Sequence, residues 1–513
     1  LLEATRRTIG LSLPIISIIF LLYGYYGKYL PGILYHKGYP IKDLIEYLYI
    51  SPNGIFGLPT QVSATYLFLF LIFSSFLEKT GAGLFFTDMA LALTGRWRGG
   101  PAKTSIIASS LCGTISGSAV ANVMVDGWIT IPLMKRTGYS SHYAAGVEAV
   151  ASTGGQIMPP VMGVAAFVMA EILGITYGKV CVHAAIPAIL YYLSVFFQVD
   201  LAAARIGLKG LSSSEMPKIW EQMARKGYLL LSLVLLIYFL VSGYTASTAV
   251  LVGIGSVYLL SLISQSTRLG VKKLAEAFES AAKSALPVAS ACACCGIIIG
   301  ITLLTGLGHR LSALILYLAG GNIILLLFMV MIVALILGTG MPTVGAYITV
   351  VALLVPAIIK LGFLPIAAHM FAFYFAVISM VTPPVALAAY AAAGIANCSL
   401  WKAGAASFKL CLAAFIVPYM FIFGYPLLFV GSYSEIIYCF FTASVGIWCL
   451  AQAIEGYSFR RLHVIERIVL FAAALLLIHV GIVTDMIGFG LLFTVIISQG
   501  GLKILFLKLR KIK

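Results

Sequence analysis

Four stretches of this chain place glycine, hydroxyl residues and proline inside otherwise apolar runs, where their oxygens could bind ions. They are Cys112-Gly-Thr-Ile-Ser-Gly-Ser-Ala-Val-Ala-Asn122, Ser152-Thr-Gly-Gly-Gln-Ile-Met-Pro-Pro160, Gly338-Thr-Gly-Met-Pro-Thr-Val-Gly345 and Val381-Thr-Pro-Pro384. An interrupted helix leaves carbonyls and amides without partners, and lipid offers none, so such breaks persist where protein, water or a ligand satisfies them. Freed carbonyls and hydroxyls suit a hard cation such as sodium. The helix N-termini that the breaks expose carry partial positive charge and suit a carboxylate. Taken singly, each glycine or proline is more often a kink or a packing residue. Asp126 and Glu148 lie in the same region. An acid within a membrane span is expensive and a functional candidate by default, although pairing with Lys103, Lys135 or Arg136 is an equally good reading.

The breaks come in register. Pro132 and Pro356, Gly138 and Gly362, Pro159 and Pro383, and Pro160 and Pro384 are each 224 residues apart. A unit used twice, broken at corresponding places in both halves, is the sequence pointer to a transport site near the midplane.

The elements that must position these breaks are spanning helices. The chain is 61% hydrophobic and 10% charged with a mean hydropathy of +1.05, against about a quarter charged for a globular domain. Apolar runs long enough to cross a bilayer are expected near 9–27, 61–78, 142–172, 179–203, 227–265 as a pair, 285–305, 322–340, 364–394, 401–424, and about three within 434–500. The stretch 266–284 reads as a helix lying on the membrane surface. The net charge of +16 does not indicate nucleic acid, because the basic residues sit in short loops between apolar runs. Arg205, Lys209, Lys218, Arg225 and Lys226 before the 227–265 pair, with Arg268, Lys272 and Lys273 after it, predict two cytoplasmic loops. The 9 cysteines have no metal-ligand spacing, and His183, His309, His369 and His479 read as packing or interface residues.

The motifs Gly113-Thr-Ile-Ser-Gly-Ser-Ala-Val-Ala-Asn-Val123, Pro132-Leu-Met-Lys-Arg-Thr-Gly-Tyr139, Gly154-Gly-Gln-Ile-Met-Pro-Pro160 and Val381-Thr-Pro-Pro-Val-Ala386 resemble the large membrane subunit of tripartite ATP-independent periplasmic (TRAP) transporters, most of all fused permeases of the TAXI type. The resemblance covers about residues 1–424. It implies an all-α polytopic inner-membrane protein with two inverted repeats, each with a re-entrant helical hairpin and a broken helix, working as an elevator. It also implies sodium as coupling ion, a small organic anion as substrate, and two partners: a TAXI-type periplasmic substrate-binding protein and a small four-helix membrane subunit or fused domain. Residues 1–8 would be the end of a helix of that subunit. The transporter core would span 9–424, with repeats at about 61–203 and 285–424 and scaffold helices in 9–60 and 227–284. Residues 425–513 would form a transmembrane extension.

Carried over residue by residue, the resemblance assigns one sodium site to Ser116, Gly117, Ser118 and Asn122 with Ser152, Thr153, Gly154 and Pro159. It assigns a second to Gly338, Thr339, Gly340 and Thr343 with Thr382 and Pro383. Oxygen sets without a carboxylate favour a monovalent ion over calcium or magnesium. Arg136 matches an arginine that family members use near the substrate carboxylate, and Ser118 and Thr343 are further substrate contacts. A guanidinium binds a carboxylate bidentately, while the neighbouring Lys135 and the turn at Gly138-Tyr139 also fit a plain loop arginine. Related readings are a permease of this architecture that works without a binding protein and a channel, although a channel would want continuous polar rings. No nucleophile with a base and no phosphate-binding loop supports an enzyme.

Overall fold

The computed structural model describes residues 1–478 and 481–500, and among these no β-strand forms; one isolated bridge joins Tyr457 and Arg461. His479 and residues 501–513 of the C-terminal segment lie outside the described residues. The apolar runs become helices because a membrane-spanning backbone must satisfy its own hydrogen bonds. Among the described residues, five segments are long and apolar enough to cross a bilayer: Leu58–Lys79, Tyr177–Ile206, Ser213–Val241, Val271–Thr305 and Tyr433–Glu455. A sixth is Leu400–Cys411 with Ala414–Phe423, bent by 55° between its halves.

The stretch 266–284 is not a separate surface helix. The helix Val271–Thr305 runs unbroken through it and through Pro287. At 35 residues it is about 52 Å long, well beyond a hydrocarbon core of ~30 Å, so its charged first turns extend past the core instead of lying flat. Those turns are laced by Lys283 on Glu279 at 2.6 Å, and Lys79 reaches Glu276 from the neighbouring helix at 3.9 Å.

Helix boundaries repeat at the interval read from the prolines. A hairpin of Gly100–Ser116 and Ala119–Arg136 is followed by a broken helix, Ser141–Gly154 and Val164–Leu173. The second hairpin has Ile323–Gly338 as its first arm, and Thr343–Leu353 with Val355–Lys360 as its second. The second broken helix is Pro365–Ile378 and Leu387–Ala396. Thr343 and Pro365 start their helices 224 residues after Ala119 and Ser141.

The two units interlock through small side chains. From Ala144 to Gly154 every residue is buried, and this helix packs on Leu387–Ala396 and Leu400–Cys411 of the second unit as extensively as on the hairpin of its own. A Cβ on Gly146 would lie 3.0 Å from the Ala406 methyl, so glycine there sets how closely the helices approach. Beyond the second unit, Tyr433–Glu455, Val464–Ile478 and Ile482–Ser498 form three further helices, the first lying along Tyr177–Ile206. His369 and His183 are tied into the packing, with the Tyr347 hydroxyl at 2.8 Å and the Leu428 carbonyl at 2.5 Å respectively.

Candidate functional site

The first hairpin turns at Gly117 and Ser118. Gly117 holds φ +59°, and a Cβ on it would lie 2.2 Å from the Met162 carbonyl oxygen in the facing break. One turn back, a Cβ on Gly113 would lie 2.3 Å from the Cα of Gly155. Hairpin and broken helix therefore meet backbone to backbone, which only glycine allows. Ser118 caps the second arm, its Oγ accepting from the Ala121 amide at 3.4 Å.

Asn122 donates to the Ser109 carbonyl at 3.1 Å, while its Oδ1 and the Ser116 Oγ are buried with no hydrogen-bond partner among the described residues. Buried oxygens of that kind fit a cation of the sodium type. The Ser152 and Thr153 hydroxyls are spent inside the helix, on the Glu148 carboxylate at 3.0 Å and the Ala149 carbonyl at 2.7 Å. Any ion at this tip would be held by Ser116, Asn122 and backbone oxygens before those two hydroxyls.

The second tip also seats its glycines closely on its own break, but against side chains and not backbone. A Cβ on Gly338 would lie 2.4 Å from Ser379 Oγ, and one on Gly340, at φ +71°, would lie 3.4 Å from Val385 and 2.6 Å from Ser12 Oγ. Thr339 and Thr382 donate to the Ile336 and Ile378 carbonyls at 2.6 and 2.9 Å. Both Pro159-Pro160 and Pro383-Pro384 are cis.

Thr343 leaves its own unit. Its Oγ1 donates to Gln156 Oε1 at 2.7 Å, joining the second tip to the first break. Gln156 stands inside a motif that singled out its neighbours, and its counterpart 224 residues on is Met380. That loss of symmetry was the available signal for its role. A double-mutant cycle on Gln156→Leu and Thr343→Val should return a coupling of roughly 0.5–1.5 kcal/mol in unfolding experiments. Additive effects would show that the contact carries nothing.

Both tips open on one cavity of about 370 Å³, lined by Ser116, Gly117, Ser118 and Asn122 from one unit, Pro342, Thr343 and Val344 from the other, and Gln156 and Met162 between them. Three helices begin at its wall: Ala119–Arg136, Val164–Leu173 and Thr343–Leu353. Each brings about half a positive charge and amides free of helical partners. The exposed Glu78 is the one charged side chain among the lining residues.

Arg136 does not belong to this cavity. It lies 18 residues along its helix from Ser118, about 27 Å away at 1.5 Å per residue, and pairs with Glu215 at 2.9 Å while largely exposed. The structure thus separates Arg136 from Ser118 and Thr343, which do share the cavity. The Ser212 amide and hydroxyl also donate to the Glu215 carboxylate, at 3.1 and 2.8 Å. An ion pair this exposed is screened by water and adds little to stability. Arg136→Ala should leave substrate affinity within roughly twofold of the parent, and a tenfold loss in an uptake titration would return Arg136 to the substrate site.

The acids Asp126 and Glu148 are buried, and neither has the basic partner that the sequence allowed. Lys103 pairs with Asp200 at 2.5 Å, Lys135 donates to the Ala396 carbonyl at 3.0 Å, and Arg136 holds Glu215. Hydroxyls take their place. Ser105, Ser109, Ser152 and Thr130 all donate to Glu148.

Helices of spanning length, interrupted where two hairpin tips face a shared cavity, define the class as a multi-pass all-α membrane protein. Residues 1–436 match the family described as tripartite ATP-independent periplasmic transporter, DctM component, and the chain belongs to that family. It is similar to the C4-dicarboxylate TRAP transporter large permease protein DctM of Vibrio cholerae, 27% identical over 195 residues, which cover 38% of this chain and 39% of that protein. The protein of the same description from Pseudomonas aeruginosa is 29% identical over 209 residues, 38% of this chain and 47% of that one. The isethionate TRAP transporter permease protein DctMQ of Oleidesulfovibrio alaskensis is 25% identical over 343 residues, 64% of this chain and 52% of that one. The chain thus spans about two fifths to one half of the length of these curated relatives.

Proposed function

We propose that this chain is the permease of a TRAP transporter of the TAXI type, driving uptake of a small organic acid anion with sodium as coupling ion. The observation that carries this reading is the cavity between the two hairpin tips. Three helix N-termini offer an anion partial positive charge and free amides there, and Gln156 with Thr343 supplies neutral polar groups. The buried Ser116 Oγ and Asn122 Oδ1 beside it favour a cation next to that anion. Binding the two together keeps the loaded site close to neutral, which is what lets it cross a low-dielectric region.

Carriage follows an elevator scheme, in which each hairpin and its broken helix move as a block against scaffold helices such as Ala246–Ser261. Inverted disposition of the two units is part of this proposal. The repeated helix boundaries and the glycine contacts that fasten each tip to its break support it. The substrate is a dicarboxylate or a hydroxy or oxo acid, and the curated relatives named for C4-dicarboxylate and isethionate support an organic anion. A TAXI-type periplasmic binding protein delivers it, and a small four-helix subunit completes the permease.

The test is uptake of a labelled organic-acid panel into proteoliposomes, with and without an inward sodium gradient and the cognate binding protein. Uptake that needs both is the expected result. Uptake with sodium alone would remove the binding protein, and sodium-independent flux would overturn the coupling.

A further inference from the structure

Below the tip of the first hairpin the chain carries a polar cluster that the second lacks. Asp126 and Thr130 lie on one arm, Ser105, Ser109 and Cys112 on the other, and Glu148 and Ser152 on the broken helix. In the second unit the counterparts of Asp126, Thr130, Glu148 and Ser152 are Val350, Leu354, Ala372 and Ala376. Its first arm, Ile323–Gly338, has neither hydroxyl nor charge. Two units of the same shape fold with and without the cluster, so the fold does not require it. Buried acids are costly enough that their presence calls for a ligand.

The charge balance says where that ligand would sit. Glu148 receives four hydroxyls, two on each oxygen, which disperse its charge. Asp126 is less well served. Thr87 Oγ1 at 3.2 Å and Cys112 Sγ at 3.3 Å both approach Oδ1. Its Oδ2 is buried without a partner among the described residues. Groups facing the pair from adjacent helices are neutral, namely Thr87, Cys112 and Tyr192, and among the described residues no lysine or arginine pairs with either acid. When ionised, Asp126 would carry a negative charge that none of these groups compensates. A monovalent cation would balance it, while calcium would want six to eight oxygens and further carboxylates. Cys112 and Asn122 line the cavity, so a route from the tip to Asp126 is one side chain thick.

We propose that Asp126, with Glu148 and the hydroxyls of Ser109 and Thr130, forms a binding site for a monovalent metal cation of the sodium class, separate from the two hairpin tips. Its part in coupling rests on the transport reading above, but the binding itself does not.

The test is equilibrium binding of radiolabelled sodium to the purified full chain, without substrate, counted per chain at saturation. Asp126→Asn and Glu148→Gln should each bind one ion fewer than the parent. Should either variant fail to fold, the parent chain altered only at the tips, Ser116→Ala with Thr339→Val, should still bind an ion. An unchanged count in the folded Asp126 and Glu148 variants, as a site holding only a proton would give, overturns the proposal. So does loss of all sodium binding in the tip variant. Because no flux is read, failure of the uptake experiment leaves this result standing, and failure here leaves the uptake result standing.

Discussion

Gly117→Ala should reduce uptake to below a tenth of the parent, although it adds a single methyl group. Two costs coincide at this position. The first is conformational: an L-residue at φ +59° pays roughly 1–2 kcal/mol for the left-handed region. The second is steric, because the new Cβ would lie 2.2 Å from the Met162 carbonyl oxygen, and that neighbour is backbone, not a flexible side-chain end. Either the tip lifts from the break and takes Ser116 and Asn122 off the cavity wall, or Met162, itself part of that wall, moves. Gly174→Ala is the control. Gly174 has φ +63° with nothing within 4 Å of its built Cβ, so it pays the conformational cost alone. Uptake normalised to protein in the membrane separates the two cases. If Gly117→Ala transports like Gly174→Ala, the close seat of tip on break has no part in transport.

The locations of tips and breaks were legible in the sequence because they are local events. Glycine at a left-handed turn and paired prolines announce themselves without knowledge of what they face, and the 224-residue interval matches each break in one half to its counterpart in the other. Contacts between halves were not legible. Thr343 falls within its own tip motif, and only the folded chain brings it to Gln156. The acid cluster shows the same limit: Ser105 and Ser109, Asp126 and Thr130, and Glu148 and Ser152 are each four apart and so share a helix face. No feature of any one helix says that these three faces turn toward each other. For lack of that, Asp126 and Glu148 were expected to meet Lys103, Lys135 or Arg136, whose partners lie elsewhere. The distance of Arg136 from the tip is hidden from the sequence for a simpler reason. A motif match carries residue type but not distance, and about 27 Å of helix lies between Arg136 and the tip.

Glu455→Ala should destabilise the folded protein by roughly 2 kcal/mol and loosen the C-terminal helices from the core. Glu455 has a fully buried side chain at the end of Tyr433–Glu455, and two cations from different units converge on it. Arg205 Nη1, from the last helix of the first unit, lies 3.3 Å from Oε2 and donates to the Glu455 carbonyl at 3.1 Å. Lys409 Nζ, from Leu400–Cys411 of the second, donates to Oε2 at 3.1 Å. Removing one partner of a fully buried pair costs about 3–5 kcal/mol, but Arg205 and Lys409 are 35% and 41% exposed and can turn toward water, which lowers the figure. Glu455→Gln separates charge from packing: it keeps the volume and an acceptor oxygen but loses the charge that holds two cations at one point. Thermal unfolding in lipid nanodiscs, read with protease access to the loop 456–463, should rank the parent above Glu455→Gln and that above Glu455→Ala. Equal stability in all three would mean that apolar packing alone fixes Tyr433–Glu455 against Tyr177–Ile206. The expected ranking would instead make Glu455 the point where the C-terminal helices fasten to both units, so that any motion of one unit against the other must either carry those helices along or break this contact.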